Sequence, residues 1–322
     1  PTPAVVYSLL KLYARFALKI YCRKVVINKP HYLKEKGPLL IAANHPNSFL
    51  DGVILTTLFD NDIYSLARGD AFKGKKTNKT LRWLKLLPVY RTSEGVENLE
   101  HNYTTFSDCL EVFKEGGNVL IFSEGRCENE WHLRPLRKGT ARLATSAWSA
   151  GMPLKVLPLG FNYSSFKKFG KDIHLQFGEI FGEEVIAGHE TDGKQYQYFN
   201  AELRKQLKSL VYQFPAEDDE KRKQHFPEDV NPVERILLFL PAFTGILLHY
   251  PLYLFASVIT YMKYKDSGHY DSVITSILML AYPVYLLLLA AIAAWFSWIA
   301  FFIVLIISPL SLLSLSRLNY HL

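Results

Sequence analysis

A histidine and an aspartate lie together in a polar segment that follows a short apolar run. Residues 43–51 read ANHPNSFLD, with His45 near the start and Asp51 at the end. If the segment turns into a helix, the aspartate one turn in reaches back to the imidazole, fixes its tautomer and stabilises the imidazolium. The other ring nitrogen is then free to take a proton from a substrate hydroxyl. We interpret His45 and Asp51 as a general-base dyad; a structural histidine is the alternative.

A second group of charged residues follows another apolar run. Residues 122–126 read FSEGR, and residues 136–142 read LRKGTAR. Arginine binds phosphate bidentately, and the N-terminus of a helix adds its dipole. The cluster therefore predicts a polyol- and phosphate-binding pocket, in which Glu124 accepts hydrogen bonds from glycerol hydroxyls or from Arg126. Charges on an ordinary surface loop are the alternative.

Two shorter segments complete the set of candidate site residues. Residues 87–91 read LPVYR, so Arg91 closes a short predicted strand. Residues 156–161 read VLPLGF, and a proline inside an apolar strand indicates an edge strand or a bulge.

These residues need a scaffold of strands and helices. Short apolar runs predict buried strands at 38–43, 63–67, 118–122 and 154–161. Longer helical stretches are predicted at 49–58, 80–86, 96–115, 139–149 and 195–211. Strands that alternate with helices predict an α/β fold with a largely parallel sheet flanked by helices. In open α/β sheets the active crevice lies at the carboxyl ends of the strands, where His45 and the 122–126 cluster fall.

Composition excludes several classes of protein. The chain has 322 residues, of which 49% are hydrophobic and 21% charged, so disorder is excluded. The three cysteines (Cys22, Cys109 and Cys127) lack metal-ligand spacing, which excludes a disulfide scaffold or cysteine-ligated zinc and favours a reducing compartment. The net charge of +7 is modest. The phosphate pocket described above and a stripe of basic residues in the first 24 residues, which we expect to face a membrane, account for it. We therefore expect no nucleic-acid partner.

The C-terminal part of the chain reads as a transmembrane region. Residues 236–262 and 272–316 contain no charged side chain. A helix needs about 20 residues to cross about 30 Å of hydrocarbon, so the longer run is enough for two passes. Its expected interruptions are Pro283, Pro309 and the stretch from Trp295 to Trp298. The shorter run contains Pro241 and Pro251 and predicts a kinked span or a re-entrant hairpin.

The first 24 residues predict an amphipathic helix. Its basic residues recur every four positions and form one stripe on an otherwise apolar helix: Lys11, Arg15, Lys19 and Arg23. Such a helix lies in the headgroup layer of an anionic membrane, and packing on its own domain is the alternative. The predicted organisation is a membrane-associated helix at 1–24, an α/β domain at 25–214, a charged linker at 215–234 and a hydrophobic region of two to three spans at 235–322.

Four blocks, taken in order, resemble the glycerolipid acyltransferase family, which includes glycerol-3-phosphate and lysophosphatidate acyltransferases. We interpret residues 45–51 as its H-x4-D block, Arg91 as the end of its second block, 122–126 as its F-x-E-G block and 156–160 as its proline-broken fourth block. The resemblance covers residues 25–180 and implies a glycerol-3-phosphate acyltransferase-like α/β fold, with the catalytic domain at 25–214.

Two departures from the family pattern stand out. Arg126 follows Gly125 directly, and Cys127 holds the place where the family usually has its arginine. Leu86, Leu87 and Tyr90 stand where the second block usually has a glycine and an acidic or amide residue.

The resemblance implies a membrane-bound O-acyltransferase. It moves a fatty acyl group from a thioester, acyl-CoA or acyl carrier protein, to the hydroxyl of a lysophosphatidate-like glycerolipid, with no metal or other cofactor. It implies His45 as the general base and Asp51 as its orienting partner. The implied acceptor-binding residues are Arg91, Glu124, Gly125, Arg126 and Lys138.

The implied partners are membrane lipids and the acyl donor, with the catalytic domain on the cytoplasmic face of a bacterial inner membrane or its equivalent. Glycerol 3-phosphate and a non-phosphate lysolipid such as an acylated amino acid are the alternative acceptors. More remote alternatives are a metal-dependent or esterase-type lipid hydrolase that uses His45, Asp51 and Glu124, and a non-catalytic lipid-binding protein. The donor carrier, the number of spans and the oligomeric state stay open.

Overall fold

The computed structural model describes residues 3–90, 101–189, 191–228 and 230–318. Its strands are β1 (Cys22–Ile27), β2 (Leu39–Ala43), β3 (Ile63–Arg68), β4 (Leu86–Val89), β5 (Asn118–Phe122), β6 (Lys155–Tyr163) and β7 (Lys171–Phe177). Its α-helices are α1 (Pro3–Tyr21), α2 (Ser48–Leu58), α3 (Lys75–Trp83), α4 (His101–Lys114), α5 (Gly139–Ser149), α6 (Asp192–Leu210), α7 (Asp219–His225), α8 (Pro232–Tyr264), α9 (Tyr270–Ala294) and α10 (Trp298–Arg317).

All the described strands join one sheet in the order β1-β7-β6-β2-β5-β3-β4. Strands β6, β2, β5, β3 and β4 are parallel, whereas β7 is antiparallel to β6 and parallel to β1. The fold is therefore α/β with a largely parallel sheet flanked by helices, as the sequence predicts. The carboxyl ends of β6, β2 and β5 meet at one edge of the sheet.

The central strand β2 explains why this sheet is buried on both faces. Its sequence LLIAA is apolar throughout and fully buried. Successive side chains of a strand point to opposite faces. Leu39, Ile41 and Ala43 accordingly pack in the core that contains α2, whereas Leu40 and Ala42 pack in the core that contains α5 and α6.

Strand β6 differs from the expectation that its proline marks an edge or a bulge. It lies between β2 and β7, and Ala42 pairs with Pro158 in the regular parallel register. Val156 exchanges backbone hydrogen bonds of 2.8 and 3.1 Å with Phe181 on the side of β7. Successive backbone nitrogens of a strand point to opposite sides, so the nitrogen of Pro158 points to the same side as that of Val156. On that side it faces residues 178–180, which follow the end of β7. The proline therefore removes no hydrogen bond between strands, and a central strand tolerates it.

Three of the helices are long and apolar enough to cross a membrane: α8, α9 and α10. This indicates a membrane protein. The 272–316 run divides into two helices at Trp295–Ser297, with Pro283 and Pro309 inside helices. The first apolar run forms one continuous helix that includes Pro241 and Pro251, so a re-entrant hairpin is not formed there. The expected linker contains α7, and α8 begins inside it.

The apolar helices are fastened to the α/β domain. Near the start of α9, Asp271 contacts Lys171 of β7, and near the end of α10, Leu315 packs in the core of the sheet. The start of α8 is bonded to α10, because Arg317 Nε donates to Glu234 at 2.6 Å, and its end is bonded to the domain, because Lys167 Nζ donates to the carbonyl of Lys265 at 2.9 Å. The pair α9 and α10 therefore forms a hairpin that leaves the domain and returns to it.

Helix α1 turns part of its basic stripe toward the domain and leaves several of its apolar residues exposed. Lys11 Nζ donates to the carbonyl of Phe59 at 2.7 Å, and Arg15 Nε donates to that of Thr57 at 2.8 Å. These carbonyls close α2, where cations interact favourably with the helix dipole. Arg23 bonds the buried Asp172 of β7. Most of the stripe thus packs on its own domain, while the exposed residues of α1 include Val5, Leu9, Leu12 and Phe16.

Candidate active site

His45 and Asp51 meet at the carboxyl end of β2. His45 lies in the connection from β2 to α2, and Asp51 lies in the first turn of α2. The Nδ1 atom of His45 is 2.9 Å from Oδ2 of Asp51. The imidazole stacks on Phe122, with ring centroids 3.7 Å apart, and 13% of its side chain is exposed. The sequence prediction that these two side chains form a pair agrees with this geometry.

The interpretation of this segment as H-x4-D is wrong by one residue. Residues 46–50 separate the histidine from the aspartate, so the block is H-x5-D. Ser48 has a φ of 52°, in the left-handed region that side chains other than glycine rarely adopt. Such a residue costs about 1–3 kcal/mol and persists only where its surroundings hold it. Because Ser48 is left-handed, the segment from His45 to Asp51 can hold one residue more than the H-x4-D pattern and still bring Asp51 to the imidazole.

Asp51 is fully buried and accepts three hydrogen bonds. Besides His45 Nδ1, the backbone N–H of Asn47 donates to Oδ2 at 2.9 Å, and the hydroxyl of Tyr163 donates to Oδ1 at 2.6 Å. Burial, and then the charge of Asp51, raise the pKa of Tyr163 well above its usual range, so the phenol stays a donor. An ionised carboxylate only accepts, so the neutral imidazole carries its proton on Nδ1 and its lone pair on Nε2.

Tyr163 was not among the residues that the sequence singled out. It is the last residue of β6, the strand beside β2. The carboxyl ends of neighbouring parallel strands lie at the same edge of a sheet. A polar residue at the end of β6 could have been placed next to His45 on this ground.

Both carboxylate oxygens of Glu124 are hydrogen-bonded to the backbone. Its Oε2 accepts from the backbone N–H of His45 at 2.9 Å, and its Oε1 accepts from that of Arg134 at 2.8 Å. Burial raises the pKa of Glu124, while these two backbone donors lower it. Arg126 contacts Glu128 at 3.3 Å, so the expected bond between Glu124 and Arg126 is not formed. Glu124 therefore joins the loop after β2 to the loop after β5.

Cys127, which stands in place of the family's usual arginine, is part of the same support. Its Sγ accepts from the backbone N–H of Ser48 at 2.9 Å and lies 3.6 Å from the carbonyl of Gly268. Burial, and then the charge of Asp51, raise the pKa of the thiol far above its usual range. A protonated thiol engaged on both sides is a poor nucleophile. Cys127 therefore holds the left-handed Ser48 in place.

Two more residues predicted to bind the acceptor, Arg126 and Lys138, form an exposed rim in the segment between β5 and α5. Gly125 has a φ of +73°, and a Cβ there would lie 2.9 Å from Cγ of Arg137, so this turn requires glycine. Arg126 and Lys138 are exposed, and Lys138 immediately precedes α5. The start of α5 is tied to the end of β5 by Thr140, whose hydroxyl donates to Ser123 at 3.0 Å. Arg91 lies outside the described residues.

The carboxylates of Asp51 and Glu124 are poorly disposed as metal ligands. Both oxygens of Asp51 and both oxygens of Glu124 already accept hydrogen bonds from the protein. Among the residues that the structure describes, no three histidine, cysteine, aspartate or glutamate side chains are grouped as a metal site. The second ring nitrogen of His45 is not used by the bond to Asp51, and it lies on a ring that is 13% exposed, which suits a proton acceptor.

The start of α9 also reaches this site, a contact that the sequence did not predict. His269, Asp271 and Ser272 hydrogen-bond to Ser48, Asn47 and Leu50. The only hint was that Asp271 is the last charged residue before the long uncharged run, since charged residues flank membrane helices.

A histidine–aspartate pair at the carboxyl edge of a largely parallel sheet is an arrangement in which the histidine can act as a general base. Residues 24–162 match the model of the family described as Acyltransferase. The segment is an acyltransferase domain, and the family resemblance inferred from the sequence is confirmed.

The chain is also similar to the crystal structure of the 1-acyl-sn-glycerophosphate (LPA) acyltransferase PlsC from Thermotoga maritima. The two are 14% identical in sequence, with a TM-score of 0.42, and the match covers 65% of this chain and 81% of that one. No curated protein matches the chain.

Proposed function

We propose that this protein is a membrane-bound O-acyltransferase that uses His45 as its general base. It transfers a fatty acyl group from acyl-CoA or acyl carrier protein to the hydroxyl of a lysophosphatidate-like glycerolipid. The observation that carries the proposal is the bond between His45 Nδ1 and Asp51 at the edge of an acyltransferase domain. It leaves the lone pair on Nε2 of a partly exposed ring, which is what removal of a hydroxyl proton requires.

The proposed reaction is a direct displacement. The acceptor hydroxyl gives its proton to Nε2 of His45 as its oxygen attacks the thioester carbonyl carbon. Asp51 stabilises the imidazolium that forms. The C–S bond of the tetrahedral intermediate then breaks, the imidazolium returns the proton to the departing sulfur, and an ester and a free thiol leave. General-base catalysis of this kind contributes about 10²–10⁴ in rate.

None of the three backbone positions that follow His45 offers a free N–H to the oxyanion. Pro46 has no N–H, that of Asn47 donates to Asp51, and that of Ser48 donates to Cys127. Positive charge on the exposed rim is another source of stabilisation for the oxyanion. We assign to Arg126 and Lys138 the binding of the acceptor phosphate, because both side chains are exposed in the segment between β5 and α5, and α5 begins there.

The apolar helices support a lipid acceptor. The first turn of α9 touches the connection that carries His45, so the pair lies where the α9–α10 hairpin leaves the domain. If the hairpin enters the bilayer, the active site stands at the membrane surface and the acyl chain of a lysolipid stays in the membrane during reaction. We place the catalytic domain on the cytoplasmic face, where acyl thioesters are made, together with the Lys221, Arg222 and Lys223 cluster of α7.

The test is an acyl-transfer assay on the full-length, detergent-solubilised protein. Labelled palmitoyl-CoA and palmitoyl-acyl carrier protein are each offered with lysophosphatidate, glycerol 3-phosphate and an acylated amino acid. His45→Ala is measured beside His31→Ala, a matched histidine removal at an exposed position before β2, at the opposite edge of the sheet. We expect a labelled phosphatidate that His45→Ala reduces by at least about 10²-fold and that His31→Ala leaves unchanged.

Each other outcome changes the proposal in a defined way. Transfer only to glycerol 3-phosphate or to the acylated amino acid overturns the acceptor and keeps the base. Transfer that survives in His45→Ala overturns the base. Hydrolysis of the thioester with no product on any acceptor overturns the transferase function itself.

A further inference from the structure

Asp271, the second residue of α9, is a fully buried carboxylate that is bonded to three other parts of the chain. It accepts from the hydroxyl of Tyr21 at the end of α1 and from Nζ of Lys171, which opens β7. Asn47, in the connection that carries His45, donates to Asp271 through Nδ2 at 2.6 Å. A buried carboxylate persists only with such partners.

Asn47 links this carboxylate to the catalytic pair. Its side chain donates to Oδ2 of Asp271, and its backbone N–H donates to Oδ2 of Asp51. That oxygen of Asp51 is the one that also contacts Nδ1 of His45. One residue therefore connects two buried carboxylates, one in the acyltransferase domain and one in an apolar helix. Asn47 thus contacts both Asp271 and the oxygen atom that orients the imidazole.

The neighbours of Asp271 hold the same connection at two more points. The hydroxyl of Ser272 accepts from the N–H of Leu50 at 3.1 Å and donates to the carbonyl of Asn47 at 2.9 Å. Nδ1 of His269 lies 2.6 Å from the hydroxyl of Ser48, the left-handed residue. The first turn of α9 and the residue before it thus contact three residues of the H-x5-D block: Asn47, Ser48 and Leu50.

We propose that Asp271 is a positioning residue for acyl transfer and that the first turn of α9 is part of the active site. Asp271 acts through Asn47 to hold Asp51 and His45 in their hydrogen-bonded geometry. The apolar helices are therefore required for turnover as well as for membrane attachment. This inference rests on the proposed general-base role of His45.

A purely structural role for Asp271 makes a different prediction. A buried ion pair such as Lys171 with Asp271 is weak evidence for stability, because well-packed neutral replacements are often tolerated. If Asp271 only completed the packing, a folded variant would keep its kcat. If it acts through Asn47, a folded variant loses kcat, and removal of the Asn47 side chain as well adds little.

The experiment measures kcat, KM and the melting temperature of the full-length protein in detergent, with palmitoyl-CoA and the acceptor that wild-type protein prefers. The variants are Asp271→Asn, Asn47→Ala, both together, and Ser272→Ala. The control is Asp266→Asn, the same change at an exposed position in the segment before α9. We expect Asp271→Asn to lower kcat by about 10–100-fold with KM within about 2-fold, and the double variant to be no worse than Asn47→Ala by more than about 3-fold.

The outcomes separate this inference from the proposed function. A folded Asp271→Asn with wild-type kcat, while His45→Ala is inactive, overturns the role of Asp271 and leaves His45 as the base. Effects of Asp271→Asn and Asn47→Ala that multiply in the double variant also overturn it. If Asp271→Asn fails to fold, Ser272→Ala decides: a fall in kcat of about 3–10-fold at unchanged KM supports the inference, and an unchanged kcat overturns it. Wild-type protein that transfers no acyl group overturns both proposals.

Discussion

The two halves of the sheet's carboxyl edge are built in opposite ways. Above β6 and β2 lies a closed half, in which His45, Asp51 and Asp271 belong to a buried hydrogen-bond network covered by the start of α9. Beyond β5 lies an open half, where Arg126 and Lys138 are exposed. Three further exposed lysines of α3 lie in the open half: Lys75, Lys76 and Lys79.

The contrast separates the parts of the site by what each has to do. A general base must be held in one orientation, so its partners are buried and their bonds are satisfied. A charged substrate must enter and leave, so the groups that bind it remain hydrated and mobile. We therefore expect substitutions in the closed half to act on kcat, and substitutions in the open half to act on KM.

The largest effect is expected for Asp51→Asn in the closed half. An amide in place of the carboxylate loses an acceptor for His45, Asn47 or Tyr163 and favours the wrong imidazole tautomer. A comparable change in a serine protease triad lowers kcat by about 10⁴-fold. We expect a fall in kcat of about 10³-fold or more here, with KM nearly unchanged, in steady-state transfer assays.

Asp60→Asn is the matched control for this substitution, because Asp60 is exposed just beyond the end of α2. It should keep wild-type kcat. An Asp51→Asn protein that is folded and retains more than a tenth of wild-type kcat would contradict the orienting role of Asp51.

Glu124→Gln should give the next largest effect, at the border of the two halves. Glutamine keeps one acceptor oxygen, so one of the two backbone donors, from His45 or from Arg134, is left facing an NH₂ group. A buried donor without a partner costs about 1–3 kcal/mol. We expect a lower melting temperature in thermal denaturation, and a fall in kcat of about 10-fold because the His45 backbone moves. If Glu124 bound the acceptor directly, KM for the lipid would rise instead.

Tyr163→Phe tests a single bond of the closed half. It removes one of the three donors to Asp51 and leaves the other two in place. A hydrogen bond to a charged group contributes about 1.5–3 kcal/mol. Only the fraction of this energy that changes the interaction between Asp51 and the imidazole lowers the rate. We expect kcat to fall by about 3–10-fold, less than for Asp51→Asn. Tyr212→Phe, a phenol removed where the hydroxyl contacts His174 and Gln176, should leave kcat unchanged.

The fold and the pairing of His45 with Asp51 could be predicted from the sequence, because each depends on residues that are close together in the chain. The fully apolar run of β2 and the alternation of strands with helices predict a buried, largely parallel sheet, and His45 follows β2 in sequence. The contacts of the basic stripe on α1 could not be predicted, because an amphipathic pattern shows which side chains differ but not which face meets protein. Lys11 and Arg15 hydrogen-bond to carbonyls at the end of α2, and the association of α1 with a membrane stays a prediction.

The hydrogen bonds that hold His45 and Asp51 in place could not be predicted from the sequence, because they join segments that are far apart in the chain. Tyr163 is 112 positions from Asp51, and Asp271 is 224 positions from Asn47. A lone aspartate beside an apolar run reads as the end of a membrane span, and only the folded chain brings it to the turn after β2. Glu124 was found as a residue of the site, but its bonds to backbone amides depend on the geometry of two loops and have no sequence pattern.

Lys138→Ala in the open half should have the smallest effect and should act on a different parameter. The lysine is exposed before α5, so its attraction to a phosphate is screened by water and salt. We expect KM for lysophosphatidate to rise about 3-fold at low salt, the difference to shrink in about 0.5 M salt, and kcat to stay within about 2-fold. Lys34→Ala, at an exposed position at the opposite edge of the sheet, is the control. A fall in kcat without a change in KM would contradict the expectation that residues of the open half act on KM.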